Sequence, residues 1–321
     1  MMDTDYHNLL YKVSRTYYED GLTQQEIGQR FGLSRIKISR LLEEARQQQI
    51  VNINIIPPIN QHVELEREIE KQYGLDEVLI AQPADDSQSA ILNAIGSTAA
   101  KCLMRTLRGE EVIAMTWGRT LLAMINALQS ATGAPIRDWH RMRIVQALGG
   151  LGNPEDDIYS VALVHRLARI LGAKAHSLSA PGIVSSSAIR EAILSDKQIS
   201  STLNFAAHAD IALLGLGQPT PQSVVMQSTI LSEAEFSQLS AMGMIGDIGL
   251  RYFDSNGCLV EHEINQRILG LTLEQIKAIP RVIVMAGGIE KFDGINAALR
   301  GGLISVLITD INIAKKLVQA D

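Results

Sequence analysis

Five consecutive residues, Thr116-Trp117-Gly118-Arg119-Thr120, stand between the apolar run "EEVIAM" and the helix-periodic run "LLAMINAL". Glycine at this position lets the backbone approach a ligand closely. The N–H groups of Gly118, Arg119 and Thr120 would open a helix, where unpaired amides and the helix dipole favour an anion. Thr120 adds a hydroxyl and Arg119 a charge. The stretch is neither a Walker loop nor G-x-G-x-x-G, so no nucleotide cofactor is indicated and a small phosphate ester fits better. The bland alternative is an ordinary strand-to-helix turn.

Similar glycines follow other apolar runs. "RIVQALGGLGNP" offers Gly149, Gly150 and Gly152, and "ADIALLGLGQP" offers Gly215 and Gly217. "RVIVMAGGIEKFDG" offers Gly287 and Gly288, then Lys291 in the first turn of a helix. A lysine there opposes the helix dipole, which a bound anion would compensate. Asp247, between glycines in "MIGDIGLRYFD", could accept hydrogen bonds from sugar hydroxyls. Each feature alone is more often structural. Their convergence at the strand ends of one sheet is what points to a binding site.

Catalysis finds less support. None of the seven histidines falls in a metal or triad arrangement, and there is no G-x-S-x-G elbow. Asp247 and Lys291 could transfer protons or form a Schiff base, but binding needs fewer coincidences. The expectation is a non-enzyme with no catalytic residues, no metal and no cofactor. The two cysteines, Cys102 and Cys258, lie far apart, which excludes a disulfide framework and fits a reducing compartment.

The elements that must position these residues begin at residue 77. Short apolar runs alternate with helical patterns: "EVLIAQ" then 87–107, "EEVIAMT" then 118–130, "RIVQAL" then 157–171, "KAHSL" then 187–207. The alternation continues with "ADIALLGLG" then 232–241, "RVIVMA" then 289–300, and "LISVLITD" then 310–320. Continuous apolar strands separated by helices predict a mostly parallel α/β sheet with helices on both faces. Ligands of such sheets bind off the carboxyl ends of the strands. Asn256-Gly257 predicts a hairpin between "GLRYF" and "CLV" that interrupts the alternation.

The first sixty residues are different. Residues 6–19 carry Leu9, Leu10, Val13 and Tyr17 at helical spacing. In "GLTQQEIGQRFGLSRIKISRLLEEARQQQ", Thr23 and Glu26 have capping-box spacing, Gly32 closes a short helix, and Ser34 caps a longer one. Ile38, Leu41 and Leu42 form the second helix's apolar stripe, and Gly28 stands where the two helices would cross. These offsets predict a helix-turn-helix rather than a helical hairpin with solvated charges. Arg35, Lys37, Ser39 and Arg40 would face phosphates and base edges, with Thr23, Gln24, Gln25 and Ser34 beside them at the helix starts. "IVNINIIPP" reads as a short β wing over Ile50–Ile55, stopped by Pro57 and Pro58, and a domain boundary is expected after residue 58. The charged helix of "HVELEREIEKQYGL" is either a solvated surface helix or a link between subunits.

The bulk numbers agree with this division. The chain has 321 residues, 46% of them hydrophobic, enough for two domains with a real core. Net charge is −6, yet residues 1–60 hold seven Lys/Arg and seven Asp/Glu, and residues 34–46 hold four basic against two acidic side chains. The reading helix is locally basic, and the mildly acidic body would limit non-specific DNA affinity, which depends on phosphate neutralisation. The start "MMDTDYHNLL" shows no signal-peptide pattern, and no stretch approaches the roughly 18–20 apolar residues of a membrane span. A cytoplasmic protein is expected.

The chain resembles the SorC family of bacterial transcriptional regulators. The segments that carry the likeness are "YYEDGLTQQEIGQRFGLSRIKISRLLEEARQQQIVNINI", "TWGRTL", "GLG", "GDIGLRYFD" and "AGGIEKFDGINAALRGGLISVLITD". The first is shared with many regulators; the last two are more specific. The resemblance implies an all-α winged helix-turn-helix over 1–58 and a sugar-isomerase-like effector and oligomerisation domain over 59–321. It implies operator DNA as one partner, a phosphorylated sugar or polyol as another, and a tetrameric repressor or activator near carbohydrate genes. The phosphate would meet Thr116, Gly118, Arg119, Thr120 and Lys291, Asp247 would meet the sugar, and Gly149, Gly150 and Gly217 would stand beside them. The enzymes that share the fold make a sugar-phosphate isomerase or deaminase with a DNA-binding appendage the alternative.

Overall fold

A computed structural model describes residues 2–54, 62–132, 139–150, 160–218, 220 and 231–320. The chain separates into two compact units, Met1–Gln61 and His62–Asp321. The expected boundary after residue 58 lies outside the described residues.

The described residues of the first unit form three helices: α1 (Met2–Tyr18), α2 (Gln24–Phe31) and α3 (Arg35–Gln47). The capping box forms: Glu26 N–H donates to Thr23 Oγ1 at 3.3 Å, and Thr23 N–H donates to the Glu26 carboxylate at 2.8 Å. Gly32 ends α2 with φ 68°, and Ser34 Oγ accepts from Lys37 N–H at 3.2 Å to start α3. Leu10, Val13, Ile27, Ile38, Leu41, Leu42 and Ala45 are buried together. A Cβ on Gly28 would lie 2.6 Å from the Leu33 carbonyl oxygen, so the turn closes only over a residue without a side chain. The expected wing strand does not form in its described part. The N–H groups of Ile50 and Val51 both donate to Ala45 O, at 2.9 and 3.2 Å, after a left-handed Gln49. These residues close the end of α3 instead of entering a ladder. The remainder of the expected wing, from Ile55, lies outside the described residues.

The second unit is a seven-stranded, all-parallel sheet in the order β1-β9-β8-β5-β2-β3-β4. The strands are β1 (Glu77–Ala81), β2 (Val112–Met115), β3 (Arg143–Gln146), β4 (Lys174–His176), β5 (Ile211–Gly215), β8 (Arg281–Met285) and β9 (Val306–Asp310). Apart from edge strand β4, whose Lys174 and His176 are exposed, they read as largely apolar runs because successive side chains enter two different cores. Ile113 and Met115 pack with helices α5 (Gln88–Thr106), α6 (Arg119–Thr132) and α7 (Ser160–Leu171), whereas Ala114 packs on the opposite face. That opposite face is covered by α4 (Val63–Tyr73), α9 (Lys197–Ala207) and the helices Leu273–Ala278, Phe292–Arg300 and Ile311–Val318. The charged helix α4 fastens to edge strand β1: Glu66 and Glu70 carboxylates accept from the N–H groups of Ile80 and Val78 at 2.8 and 2.9 Å.

The hairpin between "GLRYF" and "CLV" forms. Gly257 N–H donates to Asp254 O, and Leu259 pairs with Phe253. Residues 251–253 also form strand β7, antiparallel to β6 (Gly246–Ile248). The single helix expected over 187–207 is two, α8 (Ser187–Leu194) and α9. Asp196 breaks it by accepting from the N–H groups of Gln198 and Ile199 at 2.8 and 3.2 Å, starting a new helix. The α7 pattern starts at Ser160; its expected beginning, 157–159, lies outside the described residues.

Replacing Gly28 with Ala should force the α2–α3 turn apart. We expect a loss of about 1–3 kcal/mol in the stability of this unit, read as faster hydrogen exchange across residues 24–47. Unchanged exchange there would contradict the close-approach account.

Candidate functional site

Because every strand of the sheet is parallel, their carboxyl ends share one edge. There the loops after β2, β5 and β8 bound a cavity of ≈ 680 Å³, within the usual size range for small-molecule sites. β2 and β5 are neighbours, although the chain runs outward through β3 and β4 before returning. The crevice between them is the topological switch point at which such sheets open for ligands.

Thr116, Gly118, Arg119, Thr120, Gly217, Asp247 and Lys291 all line the cavity. Gly118 holds φ 145°, a region side chains avoid, and no atom of the described residues lies within 4 Å of where its Cβ would be. Glycine is therefore needed for the backbone turn rather than for space. Leu122 N–H returns to Gly118 O at 3.0 Å, so α6 starts at the cavity wall. Its first amides have no acceptor within the helix. Arg119 is steadied by Gln88, whose amide oxygen accepts from Nη1 at 2.9 Å.

Gly217 and Asp247 join the loop after β5 to β6. Gly217 N–H donates to Asp247 O at 2.8 Å, and Asp247 N–H donates to Gly217 O at 3.1 Å. A Cβ on Gly217 would stand 1.9 Å from Asp247 Oδ1, so the glycine makes room for the carboxylate. The other carboxylate oxygen accepts from Leu250 N–H at 3.1 Å. Burial pushes the Asp247 carboxyl up to about 6, against the opposing pull of the Leu250 N–H and of Lys291.

Lys291 sits on a 3-10 turn, Ile289–Lys291, directly before the helix Phe292–Arg300. Its Nζ donates to Leu216 O at 2.9 Å. Burial lowers its basicity, and repulsion from Arg119 adds to this; Glu290 and Asp247 oppose. The enclosed Lys291 and the exposed Arg119 thus face the same cavity, and an anion between them would offset the desolvation of Lys291 and the repulsion between the two.

Gly149 and Gly150 are not brought to this cavity. Gly149 N–H donates to Leu269 O, Gly150 N–H donates to Ala180 O, and a Cβ on Gly149 would meet the Pro181 carbonyl oxygen at 2.3 Å. The small size of Gly149 serves backbone packing against residues 180–182, and Gly150 hydrogen-bonds to the same segment.

Sequence reasoning missed several participants. Asp310 caps the helix Ile311–Val318 and also accepts from Gly288 N–H at 2.7 Å, fixing the glycine loop that leads to Lys291. Its position at a strand end before an apolar helical run was a cap signal; the partner 22 residues away was not readable. Gln218 donates to Glu290 O at 2.8 Å and ties two rim loops. Among the described residues, the buried Trp117 indole N–H has no hydrogen-bond partner.

In the first unit, Gln25, Ser34, Arg35, Lys37, Ser39 and Arg40 are exposed, as is Thr23, while Gln24 is partly covered. Arg35 and Arg40 form no ion pair among the described residues, and Lys37 Nζ stands 6.0 Å from the Tyr6 ring centre. Tyr6 Oη donates to Glu44 at 2.7 Å, locking α1 to α3 behind that face.

A family model described as "Putative sugar-binding domain" matches residues 57–319, and one for region 4 of sigma-70 matches residues 13–48. The sorbitol operon regulator of Klebsiella pneumoniae is 29% identical over 99% of this chain and 100% of its own. The chain belongs to the SorC family of sugar-binding transcriptional regulators. The crystal structure of that full-length Klebsiella regulator superposes with a TM-score of 0.74, over 98% of this chain and 99% of that one. The transcriptional regulator LsrR of Enterobacter sp. is 30% identical over 97% of this chain and 92% of its own. The erythritol catabolism regulatory protein EryD of Brucella abortus is 27% identical over 99% and 98%. These family members are named as regulators, not enzymes, and this chain is a DNA-binding regulator with a sugar-binding domain. No described helix is long and apolar enough to cross a membrane.

Asp247 gives the site a pH signature. Its folded pKa of about 6 lies above the ordinary carboxylate value of about 4. The protonated form therefore favours the fold; that stability is complete below about pH 4 and is lost as pH rises through about 6. Asp247→Asn should make the ligand-free protein more stable than wild type by about 1–3 kcal/mol at pH 7, and by little at pH 4, in urea unfolding. A difference equal at both pH values would contradict this electrostatic account.

Proposed function

We propose that this protein binds operator DNA near carbohydrate catabolism or uptake genes, and that its effector is a phosphorylated sugar or polyol held in the strand-end cavity. The observation that carries the reading is the meeting of the α6 amino terminus, Arg119 and Lys291 around one crevice that also holds Asp247. The phosphate takes the amides of Gly118, Arg119 and Thr120 together with the two cations, while Asp247 accepts from sugar hydroxyls. Relatives named for sorbitol and erythritol support a polyol-type ligand.

The operator contacts are assigned to Arg35, Lys37, Ser39 and Arg40 on α3, with Thr23, Gln24, Gln25 and Ser34 at the helix starts. Residues 1–58 act as the DNA-binding domain, and 59–321 as the effector and oligomerisation domain of a homo-oligomer, a tetramer by family analogy. Regulation follows as a population shift. The effector binds one arrangement of the oligomer better, and operator affinity changes through a coupling of about 1–3 kcal/mol.

A thermal-shift screen of sugar and polyol phosphates, each paired with its unphosphorylated form, tests the cavity assignment. Only phosphorylated compounds should stabilise, by about 2.7 kcal/mol at a hundredfold excess over Kd. Arg119→Ala and Lys291→Ala should each abolish most of that shift, and no compound should be turned over. Equal stabilisation by the unphosphorylated partners would overturn the phosphate reading. On the DNA side, Arg40→Ala should weaken operator binding and reduce the salt dependence by about one phosphate contact, leaving effector stabilisation intact. Unchanged operator affinity would remove α3 from the interface.

A further inference from the structure

We infer that Ile36 reads sequence, packing its side chain on the 5-methyl group of a thymine in the operator's major groove. The inference rests on α3 being the helix that enters the groove.

Ile36 is 68% exposed. Scattered apolar residues on a surface carry no message by themselves; the placement of this one does. At about 100° per residue, the buried positions Ile38, Leu41, Leu42 and Ala45 centre on one line along α3. Ile36 falls within roughly 10° of the diametrically opposite line. It therefore occupies the centre of the outward face, in the first turn of the helix, with Arg35 and Arg40 to either side. Residues in the first turns of such helices are the ones that reach base edges.

The chemistry at that point is selective. Arginine, lysine and serine on the flanks suit phosphates and the polar base edges. An isoleucine offers no hydrogen bond and gains only by covering apolar surface. Among the natural base pairs, the one apolar group presented in the major groove is the thymine methyl. A branched aliphatic side chain at the centre of a polar face is matched to that group.

The experiment uses the full-length chain. Binding sites are selected from random duplexes with wild type, Ile36→Ala and Arg40→Ala; then each thymine of the wild-type site is replaced singly by uracil, which lacks the methyl. We expect one thymine per half-site at which uracil weakens wild-type binding roughly four- to tenfold, from the loss of one buried methyl contact. Ile36→Ala should be insensitive to uracil at that position and should relax base preference there. Hydrogen exchange of α3 checks that the variant remains folded. If wild type tolerates uracil everywhere while Arg40→Ala loses affinity, α3 still reads DNA and the assignment of Ile36 is wrong. If neither variant alters binding, the failure lies with α3 as the reading helix.

Discussion

The paired backbone hydrogen bonds between Gly217 and Asp247 bring the loop after β5 against strand β6, and the rest of the cavity is arranged around that junction. The junction needs a glycine, because the carboxylate stands where a side chain would begin. It also sets Leu216, whose carbonyl accepts a hydrogen bond from Lys291 Nζ, and so fixes where the ammonium group stands. A second clamp, from Asp310 to Gly288, holds the glycine loop on the other side of that lysine. Two carboxylates, one facing the cavity and one buried behind it, thus determine the placement of the site's most enclosed cation.

The electrostatics of the groups lining the cavity are unfavourable by construction. Asp247 is held above its ordinary range by burial, and Lys291 is pulled below its own by burial and by Arg119. Such costs are common where a fold keeps a site ready for a charged partner. A ligand with an anionic end and a hydroxylated body answers both: the anion offsets the cations, and hydroxyl donors satisfy the carboxylate. Differential relief of this kind is what lets a ligand shift a conformational equilibrium, since only a difference in affinity between states can do so.

Much of this was legible in the sequence because its physics is local or repetitive. The Thr23–Glu26 box, the Gly32 cap and the Ser34 cap depend on residues within one turn of each other. Most strands stood out because strands buried on both faces read as unbroken apolar runs; edge strand β4, with Lys174 and His176 exposed, is the exception. Strand order was not legible, since it depends on pairings between distant segments such as β1 with β9. Glycines misled where they served packing: Gly149 makes room for Pro181, not for a cavity, and Gly150 pairs its backbone with the same segment. The Ile50–Val51 segment had strand composition, but closing the end of α3 used its amides first. Ser195–Asp196 split a helix whose apolar period continued across it, because a side-chain cap outweighed periodicity there. Ile36 escaped notice because an apolar residue at the start of a helix is usually read as part of its core.

The central claim is that the α6 amino terminus and Lys291 together hold the anionic end of an effector. Its most direct test is a crystal structure of the full chain with a sugar phosphate that stabilises it. The account predicts the phosphate within hydrogen-bond distance of Lys291 Nζ and of the Gly118–Thr120 amides, with the sugar reaching toward Asp247. A phosphate bound away from both, with Lys291 still donating to the Leu216 carbonyl, would contradict it.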